Sequence, residues 1–287
     1  MLYSRGKEAW EASKGLPLPY SHRTEAESMD APESQWDSPP ESLILDRDEI
    51  HIWRAVLDLP ISRVQALEQI LAADERTRAN KFHFPKDRTH FIAARGALRA
   101  ILGRYLSRDP RTLQFCYNQY GKPTLASEAG SDSLFFNVSH SHGIALYAIS
   151  YIQNIGVDIE YMRMDIECEQ IAGHFFSPYE VSMLRALPKH MQHEAFFNCW
   201  SRKEAYIKAR GMGLSLGLDQ FDVSLAPAAP AAILNIREKD QDVSRWSLHA
   251  LFPGPGYKAA LAVEGHPSRI KCWQWIELSN SEVVLQK

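Results

Sequence analysis

Residues 135–160 of this 287-residue chain read FFNVSHSHGIALYAISYIQNIGVDIE, and this stretch decides the fold. Its apolar runs have the length of strands and are separated by polar and turn residues, which predicts β-strands at 135–139, 144–151 and 155–160. These strands occupy the middle of the chain, and the elements on either side of them follow a similar order.

Two predicted helices precede this stretch. A strand is expected at 50–57, and a helix capped by Ser62 is expected over 62–80. A second helix, with a strongly periodic apolar face, should cover 87–105. A short strand follows it at 115–117.

The elements after the stretch repeat this order. Helices are predicted at 166–175, 178–187 and 192–209, and strands at 221–225, 246–251 and 257–263. The sequence therefore predicts an α+β protein of two similar halves, 43–154 and 155–287.

Residues 1–42 have a different character from the rest of the chain. They are rich in Ser, Pro, Glu and Asp and show no sustained apolar period, which is typical of a flexible or loosely docked extension. The alternative is a strap that Trp10, Tyr20 and Trp36 pack onto the body of the protein.

Composition limits the possible partners. The formal net charge is -3, so no global charge draws the protein to nucleic acid or to an anionic membrane. No apolar run approaches the ~20 residues of a membrane helix, and the chain starts with charged residues rather than an apolar signal segment. The 4 cysteines form no CxxC pair, which argues against a zinc site and against a disulfide framework. We therefore expect a cytoplasmic protein.

Two acidic residues stand at the end of the third predicted strand. Side chains alternate between the faces of a strand, so Asp158 and Glu160 should emerge on the same side. Two close carboxylates repel each other unless a cation or a basic group lies between them, and such oxygen ligands suit Mg²⁺. The alternative is an exposed strand end that happens to carry two acids.

The predicted helix at 192–209 carries charges on a largely apolar surface. Glu204 and Lys208 are four residues apart and share one face, which by itself describes an ordinary surface ion pair. Lys203 lies beside them. The aromatic and aliphatic residues around them predict a buried helix. Charged side chains are rarely buried without a partner or ligand, so we expect these residues to have a functional role.

Two further segments could bind phosphate. Ser139 and His140 end a strand in a cluster of hydroxyl and imidazole groups; with His142 they could instead belong to a transition-metal site or to a structural polar turn. The turn at 121–123 would hold Lys122 in a fixed direction, although most such turns are only turns.

The order of these motifs resembles the long, Sfp-type branch of the 4′-phosphopantetheinyl transferase superfamily. The GKP turn, the FNxSHS strand end, the GxDIE strand, the FFSxxE segment and the WSxKEAxxK helix all occur here in the family's order. The resemblance covers about residues 45–263. It implies a pseudo-dimer of two α+β halves in one monomeric chain, with coenzyme A in the cleft between them.

The resemblance also implies roles for individual residues. Mg²⁺ would be held by Asp158, Glu160 and Glu204. Coenzyme A would be bound by residues of both halves, namely Arg78, Lys122, Pro123, Ser139, His140, Asp158, Lys203 and Lys208. Arg78 is the weakest match, because family members that use two lysines for the 3′-phosphate have Glu75 and Arg78 as their counterparts here, and Arg95 is a possible substitute.

The implied reaction moves 4′-phosphopantetheine from coenzyme A to a serine of an apo acyl or peptidyl carrier protein and releases 3′,5′-ADP. In this hypothesis Glu204 is the base, and Asp158 and Lys208 stabilise the phosphates. One alternative is another Mg²⁺ enzyme of phosphate chemistry, although the chain has no GxxxxGK[ST] pattern. The other is a binding module without catalysis, which would be expected to lack a carboxylate or Lys208.

Overall fold

The computed structural model describes residues 36–126 and 133–276. Its helices are α1 (Ile61–Gln69), α2 (Ala73–Ala79), α3 (Pro85–Leu106), α4 (Cys168–Phe175), α5 (Pro178–Ala186) and α6 (Lys189–Arg210). Its strands are β1 (Glu49–Val56), β2 (Phe115–Tyr117), β3 (Pro123–Leu125), β4 (Phe135–Ser141), β5 (Ile144–Ser150), β6 (Ile155–Tyr161), β7 (Phe221–Val223), β8 (Ile233–Ile236), β9 (Trp246–Leu251), β10 (Tyr257–Glu264) and β11 (Arg269–Gln274).

The predicted α+β class is confirmed, and the strand order repeats along the chain. In the first half β1 pairs with β5 and β5 with β4, and in the second half β6 pairs with β10 and β10 with β9. All of these pairs are antiparallel. Each half therefore has the same three-stranded order, with a long helix between its first strand and its last two.

Hydrophobic packing forms three clusters. One joins α3 to the first sheet, around Trp53, Ile101 and Tyr147. Another joins α6 to the second sheet, around Phe196 and Tyr206. The third, which includes Ile52, Val157 and Leu261, fills the space where the two sheets meet. Each sheet is thus covered by its own helix on one face and by the other sheet on the opposite face.

The last described strand crosses back to the first half. β11 pairs with β1 in parallel register, from Glu49↔Arg269 to Arg54↔Gln274. On its other side Asp37 bridges to Trp273, and the Trp36 indole N–H donates to Phe252 O at 2.7 Å. Trp36 thus packs on the body, whereas Trp10 and Tyr20 of the predicted strap lie outside the described residues.

One predicted helix is wrong in detail. The segment 62–80 is two helices, and the first is capped by Pro60 rather than by Ser62. The second begins where Glu75 Oε2 accepts the N–H of Ala72 at 2.9 Å, which caps the start of a new helix. Strands β3, β8 and β11 were not predicted, because each is short or lacks a distinctive apolar alternation.

Within the described ranges, no helix has both the length and the apolar character needed to cross a lipid bilayer. All four cysteines are free thiols.

Candidate active site

Side chains of β4 close the free edge of β6. The carboxamide oxygen of Asn137 accepts the N–H of Val157 at 2.8 Å. The hydroxyl of Ser139 accepts the N–H of Ile159 at 3.4 Å, and the hydroxyl of Ser141 accepts that of Tyr161 at 3.1 Å. Alternate residues of β4 thus satisfy alternate backbone donors of β6 and stand where a neighbouring strand would otherwise lie.

The same two hydroxyls hold the acidic side chains of β6. Ser139 Oγ donates to Asp158 Oδ1 at 3.0 Å, and Ser141 Oγ donates to Glu160 Oε2 at 3.3 Å. Asp158 and Glu160 are both buried, although each lies on a strand at the junction of the two halves. The prediction that they share one face of the strand is therefore met, and the alternative of an exposed strand end is wrong.

Helix α6 lies directly against this face. A β-carbon added at Gly156 would lie 2.2 Å from Ala205 O and 2.3 Å from Ala209 N. Since real side chains do not tolerate such distances, only glycine allows α6 to approach β6 so closely. The close approach brings the helix's own charged residues to the acids of the strand.

Lys208 makes the contact between helix and strand. Its ammonium group lies 2.6 Å from Asp158 Oδ1 and 2.8 Å from Ser139 Oγ. Asp158 is therefore held by one cation and one hydroxyl, both on the same oxygen. The other oxygen, Oδ2, is buried and accepts no hydrogen bond from the described residues. Such an atom is costly to bury and marks a place where a further donor or cation would be stabilised.

Glu204 lies one turn before Lys208 on the same side of α6, and it is also buried. The buried charges Asp158, Glu160 and Glu204 thus belong to two elements that pack on each other. In the part of the chain that the structure describes, no group of three or more His, Cys, Asp or Glu side chains is arranged as a metal site.

Similarity to known proteins agrees with this geometry. A family model described as the 4′-phosphopantetheinyl transferase superfamily matches residues 154–262. A second model, for the N-terminal part of 4′-phosphopantetheinyl transferases, matches residues 60–150. The 4′-phosphopantetheinyl transferase HetI of Nostoc sp. PCC 7120 is 41% identical over 240 residues, which are 84% of this chain and 98% of HetI. The chain belongs to the 4′-phosphopantetheinyl transferase superfamily.

A second relative supports the long branch of the superfamily. The 4′-phosphopantetheinyl transferase Sfp of Bacillus subtilis is 31% identical over 218 residues, which are 75% of this chain and 92% of Sfp. The family predicted from the five motifs is therefore confirmed, and this member is a transferase. The alternative of another Mg²⁺ enzyme of phosphate chemistry is not supported.

Lys203 does not lie at the site of this transferase, and its predicted contact with coenzyme A is wrong. Its ammonium group is fully buried, 2.8 Å from Glu180 Oε2. It also donates to the carbonyl oxygens of Leu218 and Phe221, both at 2.6 Å. A side chain with all three donors engaged inside the core cannot reach a ligand in a cleft. Its role is to pair with Glu180, whose carboxylate also caps the start of α5.

Lys122 is also engaged within the protein. Its ammonium group donates to Lys208 O at 2.8 Å and to Ile155 O at 3.0 Å. Burial lowers its pKa to about 8. Pro123, the next residue, begins β3 and is half-buried. Lys122 thus lies between the end of α6 and the start of β6.

The remaining predicted ligands of coenzyme A are spread over the first half. His140 follows Ser139 on β4 and is exposed, since successive strand residues point to opposite faces. Arg78 is exposed on α2, with its guanidinium 5.4 Å from the centre of the Phe91 ring. Arg95 is mostly buried, 3.4 Å from Glu75 Oε1, and its Nη1 has no hydrogen-bond partner in the described structure. His140 thus lies next to Ser139, whose hydroxyl contacts Asp158, whereas Arg78 and Arg95 lie on α2 and α3.

Three residues that position the site were not singled out from the sequence: Asn137, Ser141 and Gly156. Their signal was present, because Asn137 and Ser141 lie two residues on either side of Ser139 in a strand. A two-residue period of hydrogen-bonding side chains next to an acidic strand indicates an edge that is closed by side chains. Gly156 has the signal of a strand glycine, which often marks a close approach of another backbone.

Proposed function

We propose that this transferase moves 4′-phosphopantetheine from coenzyme A to a serine of an apo acyl or peptidyl carrier protein, with Mg²⁺, and releases 3′,5′-ADP. The observation that carries the proposal is the buried Asp158, which Ser139 and Lys208 hold by one oxygen while the other has no hydrogen bond. A buried carboxylate with one unsatisfied oxygen, on a strand that also carries the buried Glu160 and that packs against the helix carrying the buried Glu204, supports a divalent cation.

The residues that would hold the ion are Asp158, Glu160 and Glu204. Hard carboxylate oxygens are the ligands that Mg²⁺ prefers, and the hydroxyls of Ser139 and Ser141 orient the two strand carboxylates. When bound, the ion would supply positive charge to the diphosphate of coenzyme A and to the developing charge of the leaving group.

The protein's own groups divide the chemistry between them. The attacking serine hydroxyl must lose a proton, and the carboxylate of Glu204, on the helix side, would accept it as the base. The side chain of Lys208 extends from the helix to Asp158. A modest rotation of this side chain would let its ammonium donate to a phosphate oxygen. Burial strengthens each of these interactions, because water does not compete for the charges.

We further propose that the enzyme works as a monomer in the cytoplasm. Its two similar halves lie in one chain, so the cleft between them needs no second copy. Its four cysteines are unpaired, which suits a reducing compartment. The carrier protein and coenzyme A are the expected partners; nucleic acid and membranes are not.

The test is transfer of the phosphopantetheine arm by purified protein and by the variants Asp158→Ala and Glu204→Gln. Carrier proteins of fatty acid, polyketide and peptide synthesis would be incubated with coenzyme A and Mg²⁺ and then weighed by mass spectrometry. We expect the parent to add one arm to at least one carrier, and each variant to lose ~1,000-fold or more in rate. Unfolding curves like that of the parent would show that the fold is kept. Full activity in either variant would refute its role.

A further inference from the structure

The turn between β2 and β3 reaches from the first half to the second. Asn118 Oδ1 accepts the backbone N–H groups of Tyr120 and Lys122, each at 2.9 Å. The other end of the same carboxamide donates to Gly211 O at 2.9 Å. Asn118 thus fixes the shape of the turn and attaches it to the residue that ends α6.

The ammonium group of Lys122 completes this attachment. It donates to the carbonyl oxygens of Lys208 at 2.8 Å, Ile155 at 3.0 Å and Ala209 at 3.4 Å. An ammonium group has three N–H donors, and all three are used on backbone carbonyls. Its side chain therefore has no donor left for a ligand in this arrangement.

The position of these three carbonyl groups explains why they accept from a lysine. The last carbonyl groups of a helix have no partner within the helix, and a positive charge there is favoured by the helix dipole. Two acceptors of Lys122 belong to the last turn of α6, and the third belongs to the first residue of β6. One side chain therefore joins the end of the helix that carries Lys208 to the start of the strand that carries Asp158.

We propose that Lys122, with Asn118, is a positioning residue: together they clamp the end of α6 to the start of β6 and so set where Lys208 meets Asp158. This role differs from the predicted place of Lys122 beside the adenine of coenzyme A. The inference uses the proposed transfer reaction for its kinetic readout only. The clamp itself is a property of the fold and has its own measurement.

The experiment compares Lys122→Met, Lys122→Arg, Asn118→Ala and the double variant with the parent. Lys239→Met is the matched control, since Lys239 is an exposed lysine on the loop after β8. For each protein we would measure kcat, KM for coenzyme A, direct binding of coenzyme A by calorimetry, and hydrogen exchange of the amides at 205–211. An inactive parent would count against the proposed reaction, and the exchange data would still decide on the clamp.

We expect Lys122→Met to lower kcat by ~10- to 100-fold, because small misplacements of a catalytic group have effects of this size. KM and the dissociation constant for coenzyme A should stay within ~3-fold of the parent. Exchange at 205–211 should quicken in Lys122→Met and Asn118→Ala and stay unchanged in Lys239→Met. Lys122→Arg should recover part of kcat, and the double variant should be little worse than Lys122→Met alone.

Two results would overturn the inference. A large rise in KM and in the dissociation constant with kcat unchanged would make Lys122 a direct ligand of coenzyme A. Unchanged kcat together with unchanged exchange at 205–211 would show that the clamp positions nothing. If Lys122→Met does not fold, Asn118→Ala decides in the same way, because it removes the second tie between the turn and α6.

Discussion

The two halves of the protein share a scaffold but differ in the side chains that their first strands turn toward the long helix. Each half has a 22-residue helix, Pro85–Leu106 or Lys189–Arg210. Each also buries one acid–base pair that links the start of a short helix to the long one. Arg99 lies 2.6 Å from Glu75, and Lys203 lies 2.8 Å from Glu180. Even the further acceptors match, because both bases donate to carbonyl groups of the segment after the long helix.

The halves differ where the long helix meets the first strand. Aligned end to end, the two helices place Arg104 at the position of Lys208. Arg104 lies over the ring of Trp53, 5.6 Å from its centre, whereas Lys208 pairs with Asp158. Two residues further along each strand, Ala55 corresponds to Glu160. The first half thus keeps the cation and replaces the acids by apolar side chains.

The first strand of each half, β1 or β6, has one edge that its own sheet leaves unpaired, and this edge is closed differently in the two halves. In the first half, β11 pairs with β1 along its length. In the second half, β4 presents side chains to β6 instead of its backbone. A paired strand leaves no space at the edge. A row of short polar side chains instead accepts the backbone N–H groups of β6, and two of its hydroxyls also orient the carboxylates of Asp158 and Glu160.

The difference between the two halves can be tested by removing the equivalent basic side chains, Lys208 and Arg104. We expect Lys208→Met to lower transfer by ~100- to 1,000-fold, since in the proposed reaction it removes a donor to the phosphates. Arg104→Met should leave kcat within ~3-fold, because its neighbours are Trp53 and the carbonyl oxygens of Pro40 and Glu41. The measurement is steady-state transfer at saturating coenzyme A. Equal losses in both variants would contradict the functional difference between the halves.

The buried acid–base pairs should behave alike in both halves. Removal of one partner of a buried pair leaves an uncompensated charge, which costs ~3–5 kcal/mol of folding free energy. We expect Lys203→Met and Arg99→Met each to lose stability of this order in urea unfolding. A stable Lys203→Met variant with weak binding of coenzyme A would restore the ligand role that the structure denies to this residue.

The smallest expected effect concerns pH and the clamp at Lys122. Burial lowers the pKa of Lys122 from 10.5 to about 8. Between these values the unfolded chain binds more protons than the folded protein, so this group makes stability rise with pH across the window. Lys122→Met lacks the group, so the stability of the parent relative to this variant should grow as pH rises. Urea unfolding at both ends of the window checks it, with Arg104→Met as a variant whose difference from the parent should not change.

Much of this architecture was predictable from residue patterns. The predicted strands at 246–251 and 155–160 agree closely with β9 and β6 because their apolar periods are strong. The pairing of β11 with β1 was not predictable, since it joins residues more than 200 positions apart and depends on which sheet edge is open. The break at Ala72 depends on a tertiary contact, the burial of Glu75 against Arg99, which no local pattern contains.

The site shows the same division. The residue types and their order along the chain identified Asp158, Glu160 and Lys208. The structure buries both acids on one face of β6 and places the Lys208 ammonium beside Asp158. Lys203 was misassigned because a charged residue in a buried helix can serve the core as well as a ligand. Which of the two applies depends on what surrounds it, and Glu180 together with two carbonyl groups could only be found in three dimensions.

The return of β11 to the first sheet interlocks the two halves. A fragment that ended before residue 155 would leave one edge of β1 open, and the complementary fragment would carry a strand whose partner is missing. The two pieces would therefore recognise each other by strand exchange, as in split-protein complementation. The last described strand of the second half thus completes the sheet of the first, and the two halves depend on each other structurally.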